Sequence, residues 1–436
     1  MSGVVRSRRV RGVLLALAVV LLAVAVVAGA GLRDPVHALQ NQGGRTALML
    51  ASGVLGLVLA AFALLIPGAG NPGPGRRLVW LSACFSLLCI GATVFVWACV
   101  SSDDSLKGVP GTVVTTDAQT GRELAAQDRA SQRRVPTGLL IETLQFTDTH
   151  NVRLTGYLWQ RLPASADPDE PAVELPDAID GGPAERVYRY TDGDQQVVGW
   201  RLRTTLREAF DYGHYPLDRQ VVRLSMWPRD ADTVLVPDFS AYPPWDTRHE
   251  LGLYQHIVTA QWHPQFTAFS LGEVDDRTNY GQPGASVDST MPELHFSTGL
   301  SREFLSPLLD RLVPLIVIAC LVFASLFVIT KDSERRALSG FSTWAVLGFC
   351  GAQMLIVAVQ HGSLRGETSS SGVVYAEYFY FILYLVIALV AINVVEHTST
   401  HRFRLLDWQG NAASRLLYWP TMTGLLLAVT IAVFLL

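Results

Sequence analysis

Residues 215–227 read Tyr215-Pro216-Leu217-Asp218-Arg219-Gln220-Val221-Val222-Arg223-Leu224-Ser225-Met226-Trp227. A proline-containing turn leads into a run in which Val222, Leu224 and Met226 fall on alternate positions. That alternation predicts a strand with one buried and one wet face. Outward from it the same texture recurs at 139–146, 152–159, 186–190, 197–206, 254–262 and 293–300, between turn residues. Val198, Trp200, Leu202 and Thr204 share a face in the same way. Several short strands at regular spacing predict an antiparallel β-sandwich over 135–304. The Tyr, Trp and Phe residues here read first as its core, with a ligand box at a domain edge as the sharper alternative. Residues 102–134, polar and almost free of aromatics, read as a linker or irregular helix.

The rest of the chain is a different material. Of 436 residues, 50% are hydrophobic and 17% charged, against about 25% charged in soluble domains. Mean hydropathy is +0.28. The charge deficit sits in apolar runs at about 12–32, 47–67, 78–100, 308–330, 337–359, 374–395 and 416–436. Each approaches the roughly 20 residues that cross a bilayer. This composition argues against a cytosolic enzyme, a disordered regulator and a secreted domain behind a cleaved signal. A net charge of −4 without a basic block argues against a nucleic-acid partner. The five cysteines, Cys84, Cys89, Cys99, Cys320 and Cys350, all lie in apolar runs, so no disulfide is expected in the polar domain.

Positive flanks set the direction of insertion. Arg6, Arg8, Arg9 and Arg11 predict a cytoplasmic amino terminus. Lys331, Arg335 and Arg336, and then Arg402, Arg404 and Arg415, mark two further cytoplasmic loops. Residues 101–307 and the carboxy terminus are then extracytoplasmic, in a multi-pass protein of the plasma (inner) membrane. The expected domains are a three-helix membrane module (1–101), the linker (102–134), the sandwich (135–304) and four membrane helices (305–436).

The turn and strand at 215–220 resemble the aromatic-Pro-hydrophobic-Asp-x-Gln signature of the pentameric ligand-gated ion channels, the Cys-loop receptor superfamily. Val222 stands where animal receptors carry the second loop cysteine, so the resemblance is to a prokaryotic type without the disulfide. Tyr157-Leu158-Trp159-Gln160-Arg161-Leu162 looks like the family's early Trp-bearing strand. Glu174-Leu175-Pro176-Asp177-Ala178 resembles its Trp-x-Pro-Asp segment, with the aromatic replaced. Glu293 to Arg302 looks like the last strand ending in the pre-membrane arginine, and Pro314 sits where the first pore-domain helix carries a proline. The likeness covers about 135–436; residues 1–101 lie outside it, and the three-helix module reads as an accessory anchor on the bundle's periphery.

The resemblance implies a homopentamer whose sandwich binds an activating ligand or proton and opens a pore for an inorganic ion. Tyr215, Pro216, Asp218, Gln220 and Arg302 would couple the sandwich to the pore helices. The fifth span would line the pore, with Glu334, Leu338, Phe341, Ser342, Ala345 and Ala352 as candidates. A ring of Glu334 carboxylates would favour cations, and Arg335 and Arg336 would oppose it. Trp227, Asp275, Asp276 and Tyr280 are candidate ligand contacts, although the rings are too few for an aromatic cage. His214, beside the signature turn, is the best-placed of the outside histidines for sensing protons. No ligand spacing for a metal and no cofactor motif is present. Membrane lipid is the remaining expected partner.

Two other readings compete. A membrane-anchored sensor or scaffold would keep the fold without conducting, which the apolar fifth span permits. A membrane enzyme would need convergent acid, base and nucleophile residues, and none of its usual motifs occurs.

Overall fold

The computed structural model describes residues 76–101, 106, 108–166, 169–230, 232–246, 250–274, 290–329, 342–368, 372–398 and 411–435, with isolated positions 15 and 19. Along the chain the elements are α1 (Arg76–Ser101), β1 (Thr112–Val114), α2 (Asp117–Ala126), β2 (Arg133–Phe146), β3 (Asn151–Pro163), β4 (Val173–Glu174), β5 (Ala178–Asp192) and β6 (Gln195–Arg207). There follow β7 (Arg219–Pro228), β8 (Thr233–Pro237), β9 (Leu253–Val258), β10 (Trp262–Val274), β11 (Met291–Arg302), α3 (Leu305–Val328), α4 (Thr343–Thr368), α5 (Tyr375–Thr398) and α6 (Ala412–Phe434). The chain forms two compact units. One comprises 104–211 and 218–303; the other comprises 1–103, 212–217 and 304–436.

The strand unit holds two sheets, ordered β1-β10-β11-β7-β4 and β5-β6-β3-β2-β8, with β9 also on β2. Alternation selects the inward side chains. Leu154, Leu158, Trp200 and Leu202 from one sheet meet Leu224, Met226, Phe269 and Phe296 from the other in a shared core. Each such side chain contributes about 1.5–3 kcal/mol on burial. Tyr242 lies among these rings, and its hydroxyl donates to Leu139 O (2.8 Å). Burial pushes that phenol well above its ordinary range.

Several expectations change here. Residues 102–134 are not a plain linker. β1 extends the first sheet along β10, and α2 buries Leu124 in the shared core, capped by the Thr116 hydroxyl accepting from Gln119 N (3.3 Å). The second sheet is mixed, because β8 and β9 lie parallel to β2. The long chain between β2 and β8 permits this, where a tight hairpin would impose antiparallel pairing. A single strand was expected at 254–262, yet β9 ends at Val258 and β10 begins at Trp262. No strand is expected between that run and 293–300, whereas β10 continues to Val274, with Pro264 at a register shift against β11. β8 shows no alternation because all five of its residues are buried.

The helix unit contains five helices long and apolar enough to cross a membrane among the described residues. The runs at 12–32, apart from positions 15 and 19, and 47–67 lie outside the described residues. α1 buries a stripe of Leu78, Ser82, Ser86, Cys89, Thr93 and Val96. Its spacing of three and four residues gives one helical face, and the hydroxyls fold back onto carbonyls: Ser82 Oγ donates to Leu416 O of α6 (2.7 Å). At the other end of α1, Trp97 Nε1 donates to the Tyr375 hydroxyl of α5 (2.8 Å), itself 2.7 Å from Thr430 Oγ1 of α6. α3 widens into a π turn at Leu308–Leu312 just before Pro314. A proline offers no N–H to the carbonyl four residues back, which accounts for the local loosening. Where α3 ends, Leu326 O accepts from Asn411 Nδ2 (3.4 Å) and Arg415 Nε (3.2 Å), side chains replacing the missing helical donors.

Candidate functional site

The strand unit brings Asp218 and Arg302 together. Pairing of β7 with β11 sets Arg219 opposite Ser301, so the two neighbouring residues meet at the strand ends. Arg302 Nε donates to Asp218 Oδ1 (2.6 Å) and Nη2 to Oδ2 (3.0 Å), a bidentate fork. The Asp218 side chain is 0% exposed and that of Arg302 11%. Gln220 Nε2 donates to Asp218 Oδ2 (3.0 Å) and to Asp211 O (2.7 Å), while its Oε1 accepts from Asp211 N (3.2 Å). The Arg302 guanidinium lies 4.2 Å over the Trp262 ring, which stacks on Phe146 at 4.6 Å. Pairing, a supporting amide and a π face together satisfy charges that burial would otherwise penalise. Trp262 ends the run expected at 254–262 but was given no site role, because the strand it begins was not expected beyond it.

Gln220 therefore pinches the base of the turn 212–217, which belongs to the helix unit. Tyr215 and Pro216 are buried in it, joined by a cis peptide bond. The turn caps α5: Tyr375 N donates to Gly213 O (2.8 Å) and Ala376 N to Tyr215 O (3.1 Å). These are first-turn donors that have no partner within the helix. Glu377 completes the cap by accepting from Val374 N (3.0 Å), the return half of a capping box. His214 is exposed, its ring 5.2 Å from that of Phe434.

Glu377 is only 1% exposed and also binds α4. Arg365 Nε lies 3.1 Å and His361 Nε2 3.2 Å from Glu377 Oε1. The His361 ring stacks on Tyr380 (5.2 Å), and its Nδ1 lies 3.4 Å from the Tyr384 hydroxyl. Sequence reading missed this network because it ended the span at 359. The available signal was His361 and Arg365 four residues apart, on one helical face, facing an acidic residue in the next span.

α4 buries Val346, Cys350, Gln353, Val357 and Leu364. Ser342, just before it, and Ala345 and Ala352 on it are exposed, on a face shared with Gly348 and Leu355. Glu334, Leu338 and Phe341 lie outside the described residues. So do Asp275, Asp276 and Tyr280. Trp227 is half-buried on β7, opposite Glu174 of β4.

Below Trp227, the outer face of β7 and β11 carries a titratable cluster. Glu208 Oε2 accepts from Arg223 N (3.1 Å), and His295 lies 3.4 Å from both Glu293 Oε2 and Ser225 Oγ. Burial pushes the Glu208 carboxyl up to about 7, only partly offset by Arg223. Burial also raises Glu293, only partly offset by the nearby Ser225, Trp227 and Arg223, and Asp177 adds repulsion to both carboxyls. The His295 imidazole is lowered to about 4, first by burial and then by Arg223. Near neutral pH the titrating group here is a glutamate.

Compared with known proteins, the chain matches no family model and no curated protein.

Proposed function

We propose that this chain is one subunit of a homopentameric, ligand- or proton-gated ion channel of the plasma (inner) membrane, with the strand unit outside. The buried Asp218–Arg302 fork carries the reading. The chain passes between its two units at 211–212, 217–218 and 303–304. Asp211, Asp218 and Arg302 stand within two residues of these passages, and Gln220 and the fork tie all three together. A displacement of β7 against β11 would reach α3 through Arg302 and α5 through the turn that caps it. α5 holds α4 through Glu377 and Arg365, and α4 would line the pore with its Ala345–Ala352 face. Small and apolar side chains along such a face suit a constriction that closes by dewetting.

The test is ion flux into proteoliposomes containing the purified protein, during acidification and during addition of small amines. The account expects a gated flux that Asp218→Asn and Arg302→Gln shift or abolish while subunit assembly is retained. Unaltered responses in both variants would remove the coupling role. Five-membered rings without flux under any stimulus would favour the non-conducting sensor.

A further inference from the structure

A cavity of about 620 Å³ lies between α1, α3 and α6. Its walls include Ala83 and Leu87 of α1, Phe323 and Phe327 of α3, and Trp419 of α6. Two serines also line it, but both hydroxyls are spent on helix carbonyls: Ser82 on Leu416 O and Ser86 on Ser82 O. The cavity is therefore apolar along its length. Its volume lies in the range of about 300–1,000 Å³ typical of small-molecule sites.

One end is different. Arg415 lines the cavity near the start of α6, beside the last turn of α3. Nε donates to Leu326 O (3.2 Å), and the guanidinium carbon stands 4.7 Å over the Phe327 ring. These contacts fix a positive charge at the helix ends, where a spanning bundle meets the headgroup layer. Arg77 lies in the first turn of α1 at the same end, since Ser82 meets Leu416 while Trp97 joins Thr430 through Tyr375. An apolar slot between membrane helices with a basic mouth matches a phospholipid bearing a negative headgroup.

We propose that this slot binds one anionic glycerophospholipid, an acyl chain lying between α1 and α3 and the phosphate against Arg415. The site gives α1 a task, because α1 supplies one wall. It stands independently of the channel reading and requires only that these helices span a membrane.

Native mass spectrometry of the full chain, after equilibration with vesicles of phosphatidylglycerol or phosphatidylcholine, tests the assignment. The wild type should retain one phosphatidylglycerol per subunit, about fivefold in preference to phosphatidylcholine, the effect expected of one arginine beside an anionic lipid. Arg415→Gln can still donate to Leu326 O, and it should lose the preference while keeping some lipid. Ala83→Trp, on an exposed position of α1, should fill the slot and lose both lipids. Inorganic phosphate at millimolar concentration should not displace the lipid. Equal retention of the two lipids by the wild type, or unchanged retention in both variants, would overturn the proposal. So would a lipid-free wild type destabilised by Ala83→Trp, which would mean that another segment of the chain fills the slot.

Discussion

Asp218 and Arg302 are each tolerable in a buried place only because the other is there. Removing one partner of such a pair costs about 3–5 kcal/mol, since the remaining charge is stranded. Asp218→Ala and Arg302→Ala should each destabilise by that order. The double variant should lose much less than the sum, read as a double-mutant cycle in thermal unfolding. Additive losses would mean that the fork is not a coupled unit. Arg302→Lys keeps the charge but loses the planar two-pronged donor set, so it should behave nearer to the alanine variant than to wild type.

Glu208 and His295 give the strand unit opposing pH dependences. Burial raises Glu208 from 4.5 to about 7. The folded state thus holds that proton more tightly, and the associated stability is full below 4.5 and lost as pH rises through about 7. His295 is lowered from 6.5 to about 4. Its contribution is present above 6.5 and lost as pH falls through about 4. The two effects oppose each other between 4.5 and 6.5, where the raised Glu293 adds to that of Glu208, and His295 no longer contributes a slope above 6.5. Glu208→Gln should make the falling limb shallower, leaving the part that the raised Glu293 contributes, so that the melting temperature drops less between pH 4.5 and about 7 than in the wild type. A profile like that of the wild type would show that Glu208 does not titrate in this window.

At the scale of elements, strands with one wet face were legible and elements buried all round were not. β7 and β6 announced themselves through Val222-Leu224-Met226 and Val198-Trp200-Leu202, all buried. β8, buried throughout, and β10, interrupted by Pro264, left no period-two trace. The fifth span shows the converse limit. Hydropathy falls after Val359, so the helix was expected to stop there, yet it runs to Thr368. Pairing sustains the polar extension: Arg365 binds Glu377, and Arg311 binds Glu367. Side chains distant in sequence thus decide where α4 ends, which no local pattern reports. The Asp218–Arg302 contact was expected from the resemblance of the 215–220 turn and of the strand ending at Arg302 to a known family, and the two residues do meet at neighbouring strand ends. Its support from Trp262 depended on a strand that the sequence hid.

The faces of α4 are open to a direct test. Cysteines introduced at Ala345 and Ala352 should react with a charged thiol reagent from the aqueous side and reduce flux. Cysteines at Val346 and Val357, both on the packed face, should remain protected. Equal reactivity of the four would reject the assigned rotation. Glu377→Gln should lower the melting temperature and impair gating, because α5 loses its cap and α4 loses the anchor for Arg365 and His361.

At the scale of the whole molecule, two bodies of different chemistry share one chain, a two-sheet domain and a set of apolar helices. The helix unit includes α1, bonded to α6 through Ser82 and to α5 through Trp97. Apolar helices gain little from hydrophobic association within lipid, so such hydrogen bonds and close packing carry the attachment. Trp97→Phe should weaken it by about 1 kcal/mol, the typical net value of one hydrogen bond, as a measurable loss of thermal stability in detergent.

A pore along the Ala345–Ala352 face exists only if several copies surround an axis, so the account stands or falls on assembly. Subunit stoichiometry of the purified protein decides it, measured by native mass in mild detergent or by counting subunits in particle images, and repeated in lipid nanodiscs. The account predicts five subunits around one axis. A stable monomer or dimer in both environments would contradict it.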